Sequence, residues 1–528
     1  MSAAPKTLPH SHAPAPQLWQ TRPRLPLRKT SNSLKVHFFA VSLCALSWAV
    51  LPPITSLIFN GCIVTVTYLW LGVTETRRGP LWLTPLSLFF FFYGVEMGPA
   101  TLYVAYGFQS NPWLPFATTL IPAKDVAAGY VISLLGMLAM HVGLETLRPR
   151  PTWNTQPKCL SRFPFLRFGI LLLLAVISIY QPQFVLPFGM FAIIFQYGGL
   201  AALLPLAFST SRQLGISRAA HGALIVLGTC GLLAAGVASQ NSSKMEVVLA
   251  LLPLGALLAQ NRNFRKWLPF AAAPAFYVYL VLLAPAINAS RAIPTVRGLT
   301  TWDKVVQSAQ VNSILAYRET PWVLLSEQYE NFMMRMFEPP SVTGFMVGDV
   351  ARSGLQMGNT MRELGYAFIP RIIWPEKPIV SRGTWFTTYL GMAPRPEEAT
   401  TSTGMTAFGE WYWNFGIFGE ITGMFLIGFL LSGLWRLVGS YPIFEPFRML
   451  LYSAILVNAV MLPEASSVLV TMAALYILFG GSVFLRRIVD TRAIRQRVNY
   501  FSTWAPIGAQ IRQRTSSDQR NIAQGINP

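Results

Sequence analysis

The sequence predicts an all-α polytopic membrane protein with one large loop domain on its outer side. Three observations lead to this class. Hydrophobic residues make up 53% of the 528 residues and charged residues only 12%, whereas soluble domains carry about a quarter. Apolar runs of about 20 residues, the length that crosses a bilayer as a helix, recur along the chain and predict about 12 spans. Basic residues gather on one side of these runs.

The apolar runs are separated by polar or proline-containing turns. Pro52 and Pro53 separate the first two runs, and Pro463 and Glu464 separate the last two, so each pair is predicted to form a helical hairpin. The predicted spans are 36–52, 54–73, 81–99, 126–145, 164–181, 184–208, 220–239, 245–260, 268–287, 416–436, 447–463 and 465–485.

The distribution of Lys and Arg predicts the orientation of the spans. Cations are concentrated in alternate loops and in two basic tails, 1–35 and 486–528, while the short loops on the other side hold only Lys124 and Lys244. By the positive-inside rule both termini are cytoplasmic, and the N-terminal tail is predicted to be disordered. Topology therefore accounts for much of the net charge of +20, and nucleic acid is not expected as a partner.

Between spans 1–9 (36–287) and spans 10–12 (416–485) lies a polar segment, 288–415, which faces outward in this topology. It is far longer than the roughly 15 residues of an ordinary loop, and it is rich in tryptophan. A disordered linker has few aromatic residues, so a folded loop domain is predicted.

Local signals divide this domain further. Thr320 and Pro321 suit the start of a helix, predicted over 320–337. The Glu-Pro-Pro sequence at 338–340 predicts a turn, followed by a short helix over 341–353. Prolines predict that 368–386 is irregular.

Four cations of the domain lie near one another and alternate with prolines: Arg362, Arg371, Lys377 and Arg382. Proline stiffens a loop, and a guanidinium fork binds phosphate oxygens in pairs. These cations therefore suit a lipid-linked diphosphate. The alternative is that each pairs with an acid of the same domain or with a lipid headgroup.

A second cluster, 401–423, leads into the tenth predicted span. Glu410 and Glu420 are carboxylates at the predicted membrane edge, where charge is costly and often functional. Asn414 can hydrogen-bond a hydroxyl group. Three aromatic residues suit either an interfacial belt or stacking on sugar rings: Trp411, Tyr412 and Trp413.

Several chemistries lack a sequence signal. The loop domain contains no histidine, the four cysteines have no metal-ligand spacing, and no nucleotide-binding or zinc-protease motif is present. No cofactor and no metal are therefore expected. A general base in the outer domain would have to be a carboxylate.

Two motifs resemble those of the Wzy-type O-antigen polymerases, which join oligosaccharide repeat units. The first is Pro370-Arg371-Ile372-Ile373-Trp374-Pro375-Glu376-Lys377-Pro378. The second is Gly409-Glu410-Trp411-Tyr412-Trp413-Asn414-Phe415-Gly416-Ile417-Phe418-Gly419. The arrangement of about a dozen spans with one late outer loop is also similar to that family.

The resemblance implies a bacterial inner-membrane glycosyltransferase with a GT-C-like fold. It would act at the periplasmic face on oligosaccharide repeat units linked to undecaprenyl diphosphate, in O-antigen or exopolysaccharide synthesis, with a chain-length regulator as a further partner. On this hypothesis the catalytic residues are Arg371, Arg382 and Glu410, the last as base or sugar-orienting acid. The substrate-binding residues are Arg362, Trp374, Lys377, Tyr412 and Asn414.

Three alternatives remain. An O-antigen ligase shares the twelve-span plan but is expected to use a histidine in the large loop, which this chain lacks. A lipid-linked oligosaccharide flippase or other transporter suits the number of spans but not the large outer domain. A non-catalytic scaffold of an export complex would pair its arginines with acids.

Overall fold

The computed structural model describes residues 32–78, 83–116, 119–149, 321–367, 369, 373–376, 382–399, 403–438 and 446–480. Predicted spans five to nine, the C-terminal basic tail and residues 1–31 of the N-terminal one lie outside the described residues, as do Arg371 and Lys377, while the last four residues of the predicted N-terminal tail, 32–35, are helical. The described chain is mostly helical and contains one small sheet.

Eleven α-helices are described, and two 3-10 helices and one π-helical turn accompany them. The α-helices are α1 (Asn32–Val50), α2 (Pro53–Thr76), α3 (Pro85–Glu96), α4 (Pro99–Gly107), α5 (Ala123–Thr146), α6 (Pro321–Met336), α7 (Glu338–Ser353), α8 (Arg382–Tyr389), α9 (Ala407–Val438), α10 (Pro446–Asn458) and α11 (Ala465–Leu475). The shorter elements are the 3-10 helices Asn359–Gly365 and Pro396–Glu398 and the π turn Tyr476–Gly480. Strands β1 (Trp113–Phe116) and β2 (Thr119–Pro122) pair in an antiparallel hairpin.

Five of the described helical segments are long and apolar enough to cross a membrane, which confirms an all-α membrane protein at this level. They are α1, α2, the segment Pro85–Gly107, α5 and α9, and they coincide with the first four predicted spans and the tenth. The two prolines predicted to separate the first hairpin do so, since α1 ends at Val50 and α2 begins at Pro53.

The third candidate span, Pro85–Gly107, consists of two consecutive helices. Thr84 caps α3 with its hydroxyl, which accepts a hydrogen bond from the amide of Ser87 at 3.0 Å. The helix ends at Glu96, and α4 begins only at Pro99. The predicted span 81–99 therefore contains α3, and the apolar segment continues beyond it through α4, because Pro99 cannot continue the hydrogen bonding of α3 and opens a new first turn instead.

Helix α5 lies at the centre of the described bundle, where it packs against α1, α2, α7 and α9. Three glycines spaced seven residues apart allow close approach: a Cβ on Gly129 would overlap the backbone of Gly344 in α7, and one on Gly143 would overlap the backbone of α9. The third, Gly136, also faces α9. Small residues at such crossings let helices pack closely in membranes.

A buried ion-pair network joins the ends of α2 and α5. The Arg148 guanidinium contacts Glu75 at 2.7 Å and Glu145 at 2.6 Å, and Arg78 contacts Glu75 at 2.6 Å. Glu75 is fully buried. Two loops that the cation pattern assigns to one side of the membrane therefore meet at one carboxylate.

Helices of the predicted loop domain agree with the sequence only in part. Helix α6 matches the prediction over 320–337, but Glu338 and the two prolines after it form the first turn of α7 and not a turn before it. Proline is favoured in the first helical turn, where its missing N–H has no helical partner. The prediction that 368–386 is irregular is wrong from Arg382 onward, where α8 begins after the last proline of that stretch.

Candidate functional site

The candidate site is built on a break in α9. Gly416 has φ 66° and ψ −158°, which divides the helix into an N-terminal arm, 407–415, and a C-terminal arm, 417–438. This backbone region is open to glycine and strained for other residues. The C-terminal arm is about 33 Å long and can span a membrane by itself.

The two arms fold back on each other. Trp411 and Gly423 would lie about 18 Å apart in a straight helix, yet a Cβ on Gly423 would overlap the Trp411 ring. Likewise, a Cβ on Gly419 would lie 2.9 Å from the carbonyl oxygen of Trp411, eight residues earlier. Glycines therefore allow this fold-back, with one at the break and two where the arms approach each other.

The N-terminal arm is fixed at its start by Thr406. Its hydroxyl accepts a hydrogen bond from the amide of Gly409 at 3.1 Å, as an N-cap residue does. The amide of Ala407 donates to the carbonyl of Leu462 at 2.9 Å, which ties the arm to the segment that precedes α11.

The end of the arm is capped by a loop that precedes the 3-10 helix Asn359–Gly365. The amides of Gln356 and Met357 donate to the carbonyls of Trp413 and Asn414 at 3.0 and 3.1 Å. Met357 and Gly358 both have positive φ, 51° and 84°. The left-handed turn thus aims its amides at carbonyls that the broken helix leaves without helical partners.

At the centre of the site, Glu410, Asn414 and Thr360 form a buried hydrogen-bond network. The Thr360 hydroxyl donates to Glu410 Oε1 at 2.9 Å, and Asn414 Nδ2 donates to the same hydroxyl at 2.6 Å. Asn414 Oδ1 accepts from the Gly358 amide at 2.9 Å. All three side chains are nearly or wholly buried, so the network locks the 3-10 helix onto the arm.

The second oxygen of Glu410 meets a helix N-terminus. Glu410 Oε2 accepts a hydrogen bond of 3.2 Å from the amide of Ser466, in the first turn of α11. A carboxylate is stabilised there by unpaired amides and by the helix dipole. Glu410 therefore connects α9, α11 and the 3-10 helix.

Arg362 and Trp374 lie at the outer edge of this network. Arg362 is exposed and follows Thr360 by two residues on the same 3-10 helix. Trp374 is 38% exposed, and its ring packs edge-on against Tyr366 at the end of that helix, with 5.9 Å between ring centroids. Four predicted site residues therefore lie on or next to the 3-10 helix Asn359–Gly365. Arg362 belongs to it, Glu410 and Asn414 hydrogen-bond to it or to the glycine before it, and Trp374 packs on Tyr366 at its end.

For the other predicted site residues, the structure describes Tyr412 and the backbone of Arg382. Tyr412 is half-buried on the N-terminal arm. Arg382 is the first residue of α8, and its side chain lies outside the description, as do Arg371 and Lys377 altogether. Convergence of these three cations on the network stays a prediction.

Trp413 does not have either role that the sequence suggested. It is fully buried, and its Nε1 donates to Asp349 Oδ2 at 2.9 Å. Its ring packs among Trp385, Phe386 and Tyr389 of α8. An interfacial belt or sugar stacking is therefore wrong for this residue, because α7 and α8 of the loop domain cover it.

Asp349 and Thr360 are the residues that sequence reasoning missed. Asp349 also accepts a hydrogen bond from the Tyr389 hydroxyl at 3.1 Å. Burial, followed by the nearby Asp349 carboxylate and its hydrogen bond, raises the pKa of Tyr389 to about 12. The position of Asp349 among the apolar residues of 338–353 was a sequence signal that its carboxylate is buried and paired. No feature of the sequence near Thr360 indicated that its hydroxyl would contact Glu410 and Asn414.

Another buried polar chain lies near the ion-pair network. His37 Nδ1 is 3.0 Å from His141 Nδ1, and His37 Nε2 is 2.8 Å from the Tyr68 hydroxyl. His141 Nε2 has no hydrogen-bond partner. Among the residues that the structure describes, no three His, Cys, Asp or Glu side chains are grouped so as to hold a metal ion.

Together these features define a class: an all-α membrane protein in which a polar network fixes a broken helix to a short 3-10 helix that carries the exposed Arg362. No family model, curated protein or solved structure that was compared with the chain matches it.

Proposed function

We propose that this protein is a membrane glycosyltransferase that polymerises lipid-diphosphate-linked oligosaccharide repeat units at the periplasmic face of a bacterial inner membrane. The proposal includes about 12 spans, a GT-C-like fold and cytoplasmic termini. Its main support is the exposed Arg362 on an element that Glu410, Thr360 and Asn414 lock beside a long apolar helix.

The reaction moves a growing chain from its carrier to a new unit. The bond between the anomeric carbon of the chain and the carrier diphosphate breaks, and a bond forms from that carbon to a hydroxyl oxygen of the acceptor sugar. The hydroxyl proton passes to a base or to the departing diphosphate. Cations that hold the diphosphate stabilise the charge that develops on it.

Arg362 is proposed as one such cation. Its helix is tied at Thr360 and Gly358, so the guanidinium stem starts from a fixed position. A positioned donor stabilises developing charge without the cost of reorganisation. Arg371, Lys377 and Arg382 complete the proposed diphosphate site.

Glu410 and Asn414 are proposed mainly to position the 3-10 helix that carries Arg362. Both Glu410 oxygens accept hydrogen bonds and the side chain is fully buried, which favours an orienting role over direct proton transfer. Tyr412 and Trp374, which are partly exposed, remain proposed sugar contacts.

The test is a polymerisation assay with purified protein and a lipid-linked repeat unit. Arg362→Ala and Arg371→Ala each remove one charge-assisted contact, so each should slow polymerisation by about 30- to 1000-fold. Glu410→Gln should also lose long-chain product. Arg352→Ala is the matched control, because Arg352 is an exposed arginine of the same domain whose ion pair with Asp349 is long, at 3.8 Å. Normal chain lengths from both Arg371→Ala and Glu410→Gln would refute the proposal.

A transporter of lipid-linked oligosaccharide is the second candidate. One observation favours it: Glu420 is a buried carboxyl group without a hydrogen-bond partner in a helix long enough to span the membrane, and such groups often mark transport pathways. Reconstituted protein that moves the lipid-linked unit between leaflets without lengthening it would support transport. Longer product without net translocation would support the polymerase.

A further inference from the structure

Glu420 stands apart from the network around Glu410. It lies on the C-terminal arm of α9 and is fully buried. Among the buried carboxylates that the structure describes, it is the one in which both oxygens lack a hydrogen-bond partner. A buried polar group without a partner is costly, and an ionised one is far more so.

The carboxyl group occupies a notch in α5. A Cβ on Gly136 would overlap the carboxyl group of Glu420, and the nearest atom of another residue is Met424 Cγ at 3.1 Å. The missing side chain at Gly136 therefore makes the space for the carboxyl group. The backbone amide and carbonyl groups of α5 that line this notch are already paired within the helix, and the neighbouring Met424 side chain is apolar, so neither can hydrogen-bond strongly to the carboxyl group.

Among the residues that the structure describes, none forms a hydrogen bond or an ion pair with the carboxyl group of Glu420. Six ionisable groups on α5, on α9 and on elements packed against α9 have other hydrogen-bond partners: Tyr130 with Met97, His141 with His37, Glu410 with Thr360, Asp349 with Trp413, Glu464 with Ser467, and Tyr476 with Leu430.

We propose that Glu420 is a proton-binding site within the membrane, held neutral in the notch at Gly136. A proton is the ligand that fits, because it neutralises the carboxylate without the several oxygen ligands that a metal cation needs. When the O–H bond breaks and the proton leaves, the carboxylate cannot remain in an apolar notch. Release of the proton is therefore coupled to separation of α9 from α5 at this point. The inference does not rest on the proposed activity.

The test uses dicyclohexylcarbodiimide, an apolar reagent that reacts with protonated carboxyl groups in membranes. The carboxyl proton moves to a carbodiimide nitrogen and the oxygen adds to the central carbon. Rearrangement then gives a stable N-acylurea, so the peptide gains the whole mass of the reagent. The full-length protein in lipid vesicles is labelled at several pH values, digested and analysed by mass spectrometry.

We expect an adduct at Glu420 at neutral pH that becomes weaker as the pH is raised, because the reagent needs the protonated carboxyl group. Glu420→Gln should remove this adduct, and sodium in place of choline should not change it. Absence of the adduct overturns the proposal. Protection by sodium at constant pH also overturns it, because that result assigns the site to a metal cation.

A stability measurement gives independent evidence. If the carboxyl group is neutral, Glu420→Gln should leave the melting temperature at pH 6 within about 2 °C of the unchanged protein. The unchanged protein holds one more proton folded than unfolded, so its melting temperature should fall more steeply with rising pH than that of Glu420→Gln. Equal slopes overturn the proposal. Gly136→Ala should lower the melting temperature of the unchanged protein, since the new methyl group displaces the carboxyl group.

Discussion

The hydroxyl of Thr360 lies between the carboxylate of Glu410 and the amide of Asn414, at 2.9 and 2.6 Å. A threonine hydroxyl has one proton and two lone pairs. Because a carboxylate only accepts, the proton of Thr360 points to Glu410 and a lone pair faces Asn414. Asn414 therefore donates to Thr360, and Thr360 donates to the Glu410 carboxylate. Two hydrogen bonds in series in this way polarise and strengthen each other.

Replacement of Thr360 by valine tests this network. Thr360→Val keeps the shape but leaves an oxygen of Glu410 and a donor of Asn414 without this partner. We expect the free energy of unfolding to fall by about 1–3 kcal/mol. Thermal unfolding of the detergent-solubilised protein measures the change.

Thr388→Val is the matched control for this prediction. The Thr388 hydroxyl donates only to the carbonyl of Thr384 in its own helix, at 3.1 Å. Its removal should cost clearly less than the loss at Thr360. Equal effects of the two substitutions would show that the buried network adds no particular stability.

The break in α9 depends on Gly416, and Gly416→Ala tests it. Alanine at φ 66° and ψ −158° is strained, with a cost on the order of 1–3 kcal/mol. The variant should melt at a lower temperature, or the arms should straighten and lift Trp411 from Gly423. Loss of the Trp411 contact would appear as altered tryptophan fluorescence.

Gly365→Ala is the control for the glycine at the break. A Cβ at Gly365 meets nothing within 4 Å, and its φ is not positive. Alanine should therefore be neutral or slightly stabilising there. If Gly416→Ala behaves like Gly365→Ala in stability and fluorescence, the break does not require glycine.

Periodicity and proline placement predicted the long apolar helices because those signals are local. Helix α5 was predicted over 126–145 and runs from Ala123 to Thr146. The candidate site was less accessible, since its contacts join residues far apart in sequence, such as Thr360 with Glu410. Trp413 was misread because an aromatic residue beside a span suits a membrane interface as well as a core. Only the fold of the loop domain distinguishes the two.

The ion pairs at Arg148 should contribute strongly to stability. Arg148→Ala leaves the carboxylates of Glu75 and Glu145 without the guanidinium between them. Removal of one partner from a buried ion pair costs about 3–5 kcal/mol. Chemical or thermal unfolding should show a loss of this size, and the additional change Glu75→Gln should recover part of it.

Arg395→Ala provides the comparison with an exposed ion pair. Arg395 lies 3.9 Å from Glu398, and both side chains are largely exposed. Exposed pairs contribute about 0–1 kcal/mol, so little change is expected. A loss at Arg148 no larger than that at Arg395 would contradict a structural role for the network.

The Tyr389 hydroxyl gives a prediction for pH. Its pKa is raised to about 12, mainly by burial and next by the Asp349 carboxylate. For a raised pKa, the stabilising contribution is present below the ordinary tyrosine value of about 10 and is lost as the pH rises through the folded value. Asp349→Asn removes the charge, so the pKa should move back toward its ordinary value. Between about pH 10 and pH 12, the Asp349→Asn protein should then show more tyrosine ionisation than the unchanged protein by ultraviolet absorbance. The double variant with Tyr389→Phe should lose that signal, and an extra ionisation that persists in the double variant would belong to another tyrosine.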